Sequence, residues 1–177
     1  MGTQKVKKLN RVLNYVATWA TGILTVTTDA AHYLKSTDKV NLVFNNSPCE
    51  LNQAVVTVTT PSEFTIEVAG PHEVQMLGKV IIDYFSDAQT GEVSRFSIAK
   101  TMDAPSVIQF TTHGAGGAVF VLSVSNDGEG WVEIATVTLA SSNLASEFVS
   151  IAPQWTQAKL SATSIGADTT VTVTVVA

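Results

Sequence analysis

The chain has 177 residues, enough for one large domain or two small ones with a real core. Hydrophobic residues make up 45% and charged residues 14%, which excludes a disordered chain and leaves Thr, Ser, Asn and Gln to cover much of the surface. The net charge is −5, but Lys5, Lys7, Lys8 and Arg11 stand together at the start, so residues 12–177 hold six basic against fifteen acidic residues, a balance that argues against nucleic-acid binding by the body.

The start, "MGTQKVKKLNRVLNYVATWATG", has a basic region followed by apolar residues, the outline of a signal peptide. Asn14, Thr18 and Thr21 interrupt its apolar part, and Val6 stands where a myristoylation signal needs Ser or Thr. Val6, Leu9, Leu13, Val16 and Ala20 are spaced as on an amphipathic helix, whereas "RVLNYVATWA" is rich in β-formers. The expectation is a basic arm over residues 1–20 that leads, extended, into a first strand; a helix laid on a partner is the alternative.

Beyond the arm the pattern changes to alternation of Thr with Val or Ile. It runs through "TGILTVTT" (21–28), "AVVTVTT" (54–60), "EFTIEVA" (63–69), "VFVLSVS" (119–125), "IATVTL" (134–139) and "TTVTVTVV" (169–176). Side chains on a strand alternate between faces, so each run predicts a half-buried strand. Turn signals at Ser47-Pro48, Thr60-Pro61-Ser62, Gly70-Pro71, Asn126-Asp127-Gly128 and Ile165–Asp168 separate them at the spacing of sandwiches and barrels.

The predicted fold class is therefore all-β, with two small sandwich or barrel domains in tandem. The polar stretch "SDAQTGEV" (86–93) marks the boundary. The first domain, 11–90, holds about five strands and the hydrophobic segment "LGKVIIDYF" (77–85); the second, 91–177, holds about seven, the number of a two-sheet sandwich.

Two stretches carry a resemblance. "GILTVTTDAAHYLKSTDKVNLVF" followed by "LNQAVVTVTTPSEFTIEV" resembles a module of structural proteins of tailed bacteriophages, through Ala31, His32, Leu34, Asp38, Val40, Val56, Val58, Phe64 and Ile66. The glycines usual after the His and before the Asp are replaced by Tyr33 and Thr37. "SNDGEGW", with Trp155 and the Thr-Val-rich last strand, resembles the small sandwich domains of phage heads and tails, through Ser125, Asp127, Gly128, Trp131 and Trp155. The same hairpin is similar to that of discoidin-like carbohydrate- and lipid-binding domains, but their remaining framework is missing.

Chemistry-bearing patterns are sparse. Cys49 is the sole cysteine, so neither an internal disulfide nor a Cys-based metal cage can form, which fits folding in a reducing cytoplasm. His32, His72 and His113 never come within zinc-ligand spacing; His32 reads as a turn cap, and the glycines at 114, 116 and 117 beside His113 read as a flexible turn. Asn126, Asp127 and Glu129 lack the alternating ligands and distal glutamate of an EF-hand loop. The plain reading of that hairpin is that Asp127-Gly128 supplies a tight turn, its acids face solvent, and Trp131 leads the next strand into the core. Glu63/Glu67 and Glu129/Glu133 lie too far apart on strands for a glycosidase pair, at about 13 Å, and no Gly-x-Ser-x-Gly elbow is present. No run approaches the roughly 18 apolar residues of a membrane span.

The expectation is a non-enzymatic structural protein of a phage virion, made in the host cytoplasm, with no metal or cofactor, no nucleic-acid or membrane partner, and a capacity to form homo-oligomers. The resemblance implies an external capsid decoration or knob protein that meets the major capsid protein or another virion protein. Lys5, Lys7, Lys8 and Arg11 are its candidate docking residues, set against the plainer reading of a solvated terminus. A neck or tail adaptor is the alternative within the particle. From another class, Trp131, Trp155 or Tyr33 would be the platform of a glycan- or receptor-binding module. Sheet edges of this composition can pair with a neighbouring subunit, and which edges are free is not legible in the sequence.

Overall fold

The computed structural model describes residues 6–45, 50–69, 75–86, 88–98 and 105–176. Among these residues the chain is all-β, as alternation predicts, and it forms two compact units. Their division is not tandem: residues 11–82 make one unit, and residues 1–10 join 83–177 in the other.

The N-terminal arm is the reason. Residues Val6–Leu9 form strand β1, which pairs antiparallel with the last strand, β16 (Thr170–Val176), from Val6 opposite Val176 to Leu9 opposite Val173. Leu9 is 2% exposed and belongs to the core of that unit. The expected boundary at 86–93 is therefore corrected to 82/83, and the expected free arm is corrected to an integral strand. Four residues, two of them lysine, carry no local signal for such a long-range pairing.

The unit closed by β1 is a two-sheet sandwich. One sheet has the order β1-β16-β11-β14, with β11 at Ser106–His113, β14 at Leu144–Ile151, and the two-residue β9 (Phe85–Ser86) beside β16. The other has the order β10-β15-β12-β13, from Gly91–Ser97, Gln157–Ile165, Ala118–Ser125 and Val132–Leu139. Their inner faces bury Phe85, Phe110, Phe120, Leu122, Ile151, Leu160 and the valines of β16, with Phe110 and Phe120 ring to ring at 5.5 Å. The alternating Val and Thr of β16 give this dry face and a Thr-covered outer one.

The inserted unit is a single seven-stranded antiparallel sheet of order β5-β4-β8-β2-β3-β7-β6. Its strands are β2 (Arg11–Ala20), β3 (Ile23–Thr28), β4 (Lys39–Phe44), β5 (Glu50–Val55), β6 (Thr57–Thr60), β7 (Glu63–Glu67) and β8 (Gln75–Ile82). The two strands at its opposite edges, β5 and β6, are separated in the chain by Val56 alone. One residue spans at most about 7 Å between its neighbours, so the sheet curls enough to bring the end of β5 close to the start of β6. The result is a half-barrel whose concave face buries Tyr15, Leu24, Val26, Leu42, Phe44, Phe64, Ile66 and Val80.

The unit enters on β2 and leaves on β8, and Arg11 and Ile82 are direct partners in that ladder. Paired Cα atoms of antiparallel strands lie about 5 Å apart, so the insertion costs its host only a narrow gap. Excision of residues 11–82, with Asn10 joined to Asp83 through a short Gly-Ser linker, is expected to leave a cooperatively folding sandwich. Circular dichroism and a single thermal transition would check this.

Two of the non-glycine residues with left-handed backbone flank one turn of the inserted unit, and one of them has the largest such φ. Tyr33 (φ 55°) and Thr37 (φ 82°) both have left-handed backbone. The β-branched Thr37 is the costlier of the two, and Lys35 N–H to Asp38 Oδ2 (2.7 Å) and Thr37 N–H to Val56 O (2.8 Å) hold the turn in place. Thr37→Gly is expected to stabilise the protein by about 1 kcal/mol, read as a raised melting temperature.

Candidate functional site

The Ser125–Trp131 loop joins β12 to β13, whose ladder closes at Val124 opposite Val132. It is not the tight two-residue turn expected from Asp-Gly: only Gly128 has positive φ, at 82°. Order comes from side chains instead. The fully buried Ser125 donates through Oγ to Asp127 Oδ1 at 2.8 Å and accepts from Gly128 N–H at 2.9 Å. Asp127 Oδ1 also accepts from Glu129 N–H at 2.9 Å and Gly130 N–H at 2.8 Å. Asn126 Oδ1 accepts from Thr156 N–H at 3.1 Å, which ties the loop to the start of β15.

These donors favour the charged form of Asp127, the backbone N–H of Glu129 most and the Ser125 hydroxyl next, and lower its pKa from 3.8 to about 2. The acid thus faces solvent, as expected, and is at the same time the loop's central acceptor.

Trp131 is corrected: it does not lead into the core. Its ring is only partly buried, with Lys159 Nζ 4.6 Å and the Arg95 guanidinium 5.0 Å from the centroid, while Nε1 donates to Gly128 O at 3.1 Å. Arg95 and Lys159 are register partners on β10 and β15, on the face opposite the buried Phe96, Ala158 and Leu160. Arg95 also makes a two-pronged ion pair with Glu92. The hairpin therefore clips three strands together from outside, through cation–π contact. Trp155 keeps its expected role, packing partly buried against the sandwich core.

The candidate docking residues separate. Lys5 lies outside the described residues, and Lys7 and Lys8 are exposed on β1. Arg11 is not available for docking: its guanidinium donates to Ala31 O, stacks 4.7 Å from the Tyr33 ring centroid, and is half-buried, so desolvation lowers its pKa. It fastens β2 to the His32 turn.

His32 caps that turn. Its Nδ1 accepts Leu34 N–H at 2.9 Å, its backbone N–H reaches Pro61 O, and its buried ring stands edge-on to Phe64. Burial pushes its pKa down, in keeping with an Nδ1 already committed as acceptor. His113 is exposed at the end of β11, and His72 and Cys49 lie outside the described residues. The glycines beside His113 form a pinned turn rather than a flexible one. Gly116 N–H donates to the buried Thr169 Oγ1 at 2.7 Å and Gly166 N–H to Gly117 O at 2.9 Å, so two loops meet where a Cβ on Gly116 would collide with Ala167 O and Gly166.

Two open grooves mark the half-barrel. One, of about 440 Å³, is lined by Asn14, Tyr15, Thr28, Asp29 and Gly78; the other, of about 830 Å³, runs along Ile23, Leu51, Val55, Thr65 and Glu67. In the first, Asn14 Nδ2 donates to Asp29 Oδ2 at 2.8 Å, so its polar groups satisfy each other. Among the described residues no three His, Cys, Asp or Glu side chains gather as metal ligands, and no helix is long and apolar enough to cross a membrane. No family model matches the chain, and no curated protein does.

The outward Trp131 and the self-bonded Asp127 had one legible signal, the Ser-x-Asp spacing of a local side-chain turn. The clamp had none, because Arg95 and Lys159 meet Trp131 only through the β10-β15-β12 order. Asp127's contribution is complete above about pH 3.8 and is lost as pH falls towards about 2. Trp131 emission is expected to change across that window, and Asp127→Asn to lack the step and to melt at lower temperature at neutral pH.

Proposed function

We propose that the chain is a non-enzymatic structural protein of a tailed-phage particle, a capsid decoration or knob subunit. The observation that carries this reading is where the likeness to phage proteins falls. His32 and Asp38 build the strained turn of the half-barrel, Val40, Val56, Phe64 and Ile66 are buried in it, and Ser125, Asp127, Gly128 and Trp131 build the sandwich's outer clip. The left-handed φ at Tyr33 and Thr37 adds support, since it is the backbone that the module's two glycines favour.

Docking in this reading rests on Lys7 and Lys8, with Arg11 withdrawn and β1 a fixed strand rather than a tether. Two adjacent exposed lysines on a chain of net charge −5 suit steering towards an acidic shell. A sugar-stacking role for Trp131 is the weaker reading, because Lys159 and Arg95 already stack on its ring.

Deletion of the terminus is a poor test, since it removes Leu9 from the core. Lys7→Glu with Lys8→Glu leaves the strand intact. Quantitative mass spectrometry of particles assembled from the chain's own genome is expected to find it in tens to hundreds of copies, and the double variant to lower head occupancy about tenfold. Absence from purified particles would overturn the proposal, and a ring-like handful of copies would move the chain to the neck or tail.

A further inference from the structure

Among the described residues the three sheets end in six strands of four residues or more, besides the two-residue β9, and five of the six carry a device that disfavours pairing with another chain. β10 is bulged at Val93, β13 at Ile134, β5 between Leu51 and Ala54, and β6 at Thr59, each with the extra residue on the edge strand itself. β1 is four residues long and carries Lys7 and Lys8. β14 has none of these. Its eight residues, LASEFVSI, pair with β11 without a register shift from Ser106 opposite Ile151 to His113 opposite Leu144, and they include no proline, no lysine and one charge, Glu147. Its apolar side chains are also the most exposed large ones among the described residues, Phe148 at 72% and Leu144 at 63%.

The free main-chain groups of β14 can be assigned. Gly114 N–H donates to Asn143 O, and Ala145 exchanges hydrogen bonds with Thr112 Oγ1 on the β11 side. Antiparallel alternation then turns Ala145, Glu147, Val149 and Ile151 towards β11, and the N–H and C=O groups of Leu144, Ser146, Phe148 and Ser150 towards the open edge. The Leu144 carbonyl there accepts only the nearby Ser142 hydroxyl, at 3.1 Å, among the described bonds.

We propose that β14 pairs with β14 of a second copy of this chain, antiparallel about a two-fold axis at Ser146. The strand's own sequence selects that occupant and that register. With Ser146 opposite its counterpart, Leu144 faces Phe148 of the other copy on both sides of the axis, and Glu147 faces Ala145. The outward main-chain groups of 144, 146 and 148 are those that the ladder uses. An axis one residue later sets Glu147 against Glu147, a like-charge pair that destabilises a ladder; one residue earlier, Leu144 faces Ser146 and the apolar match is lost. Because such a two-fold stands perpendicular to the sheet, Leu144 and Phe148 of both copies gather on one outer face, and the two five-stranded sheets join into one.

Sedimentation equilibrium of the full chain tests this. The wild type is expected to approach twice the monomer mass of 18.7 kDa as concentration rises. Phe148→Lys charges the cluster, and Ser146→Pro removes an outward N–H along with the exposed hydroxyl that bonds Phe110 O and Gln109 Nε2 on β11; each is expected to weaken the dimer about tenfold or more with an unchanged circular dichroism spectrum. With Cys49→Ser, Ser146→Cys is expected to cross-link the dimer on mild oxidation, since register partners lie within disulfide reach. A wild type that stays monomeric up to its solubility limit, or a dimer that survives both substitutions, would overturn the proposal.

Discussion

The pairing of β1 with β16 is the constraint from which the rest of the architecture follows. It brings the described ends of the chain together on one sheet, buries Leu9 in the sandwich core, and so makes residues 11–82 an insertion rather than a preceding domain. An insertion is tolerated when its own ends are adjacent, and here Arg11 and Ile82 face each other across one ladder. The inserted unit can then be a curled half-barrel with its own core, and each unit keeps the burial that its alternating strands require.

Within the half-barrel, the join of its outer strands dictates local strain. Val56 alone joins the two outer strands, and its N–H and C=O bond Asp38 and Thr37, so the turn at 35–38 has to adopt the conformation that meets it. That conformation includes left-handed backbone at a threonine, which no local preference would choose. His32 and Arg11 brace the same region, one through Leu34 and Glu63, the other through Ala31 and Tyr33. Side chains that read as candidate functional groups are in this way consumed by the turn.

The sandwich solves a different problem, that of open edges. Bulges on β10 and β13 spoil one sheet's edges, and the Ser125–Trp131 clip stiffens its outer face. On the other sheet β1 is short and basic, while β14 is regular, apolar and uncovered. The contrast gives an exposed phenylalanine a physical context: among the described residues it lies on the one long edge strand without a bulge, proline or lysine, within a self-matching run of five residues.

Alternation of Thr with Val or Ile determined the fold class and the position of β3, β7, β12, β13 and β16 by itself, because a two-residue period depends only on which side chains must be buried. The Ala-His-x-Leu turn and the Ser-x-Asp-Gly loop were legible for the same reason, their bonds being made within a few residues. Tertiary structure alone decided that Val6–Leu9 belongs to the last strand's sheet, that Val56 links the two outer strands of the curled sheet, and that Trp131 lies outside against Arg95 and Lys159. It alone decided which edge stays bare. Each of these depends on partners that are distant in the chain, and strand order, register and bulges are set by the fit of whole sheets rather than by any short run of residues.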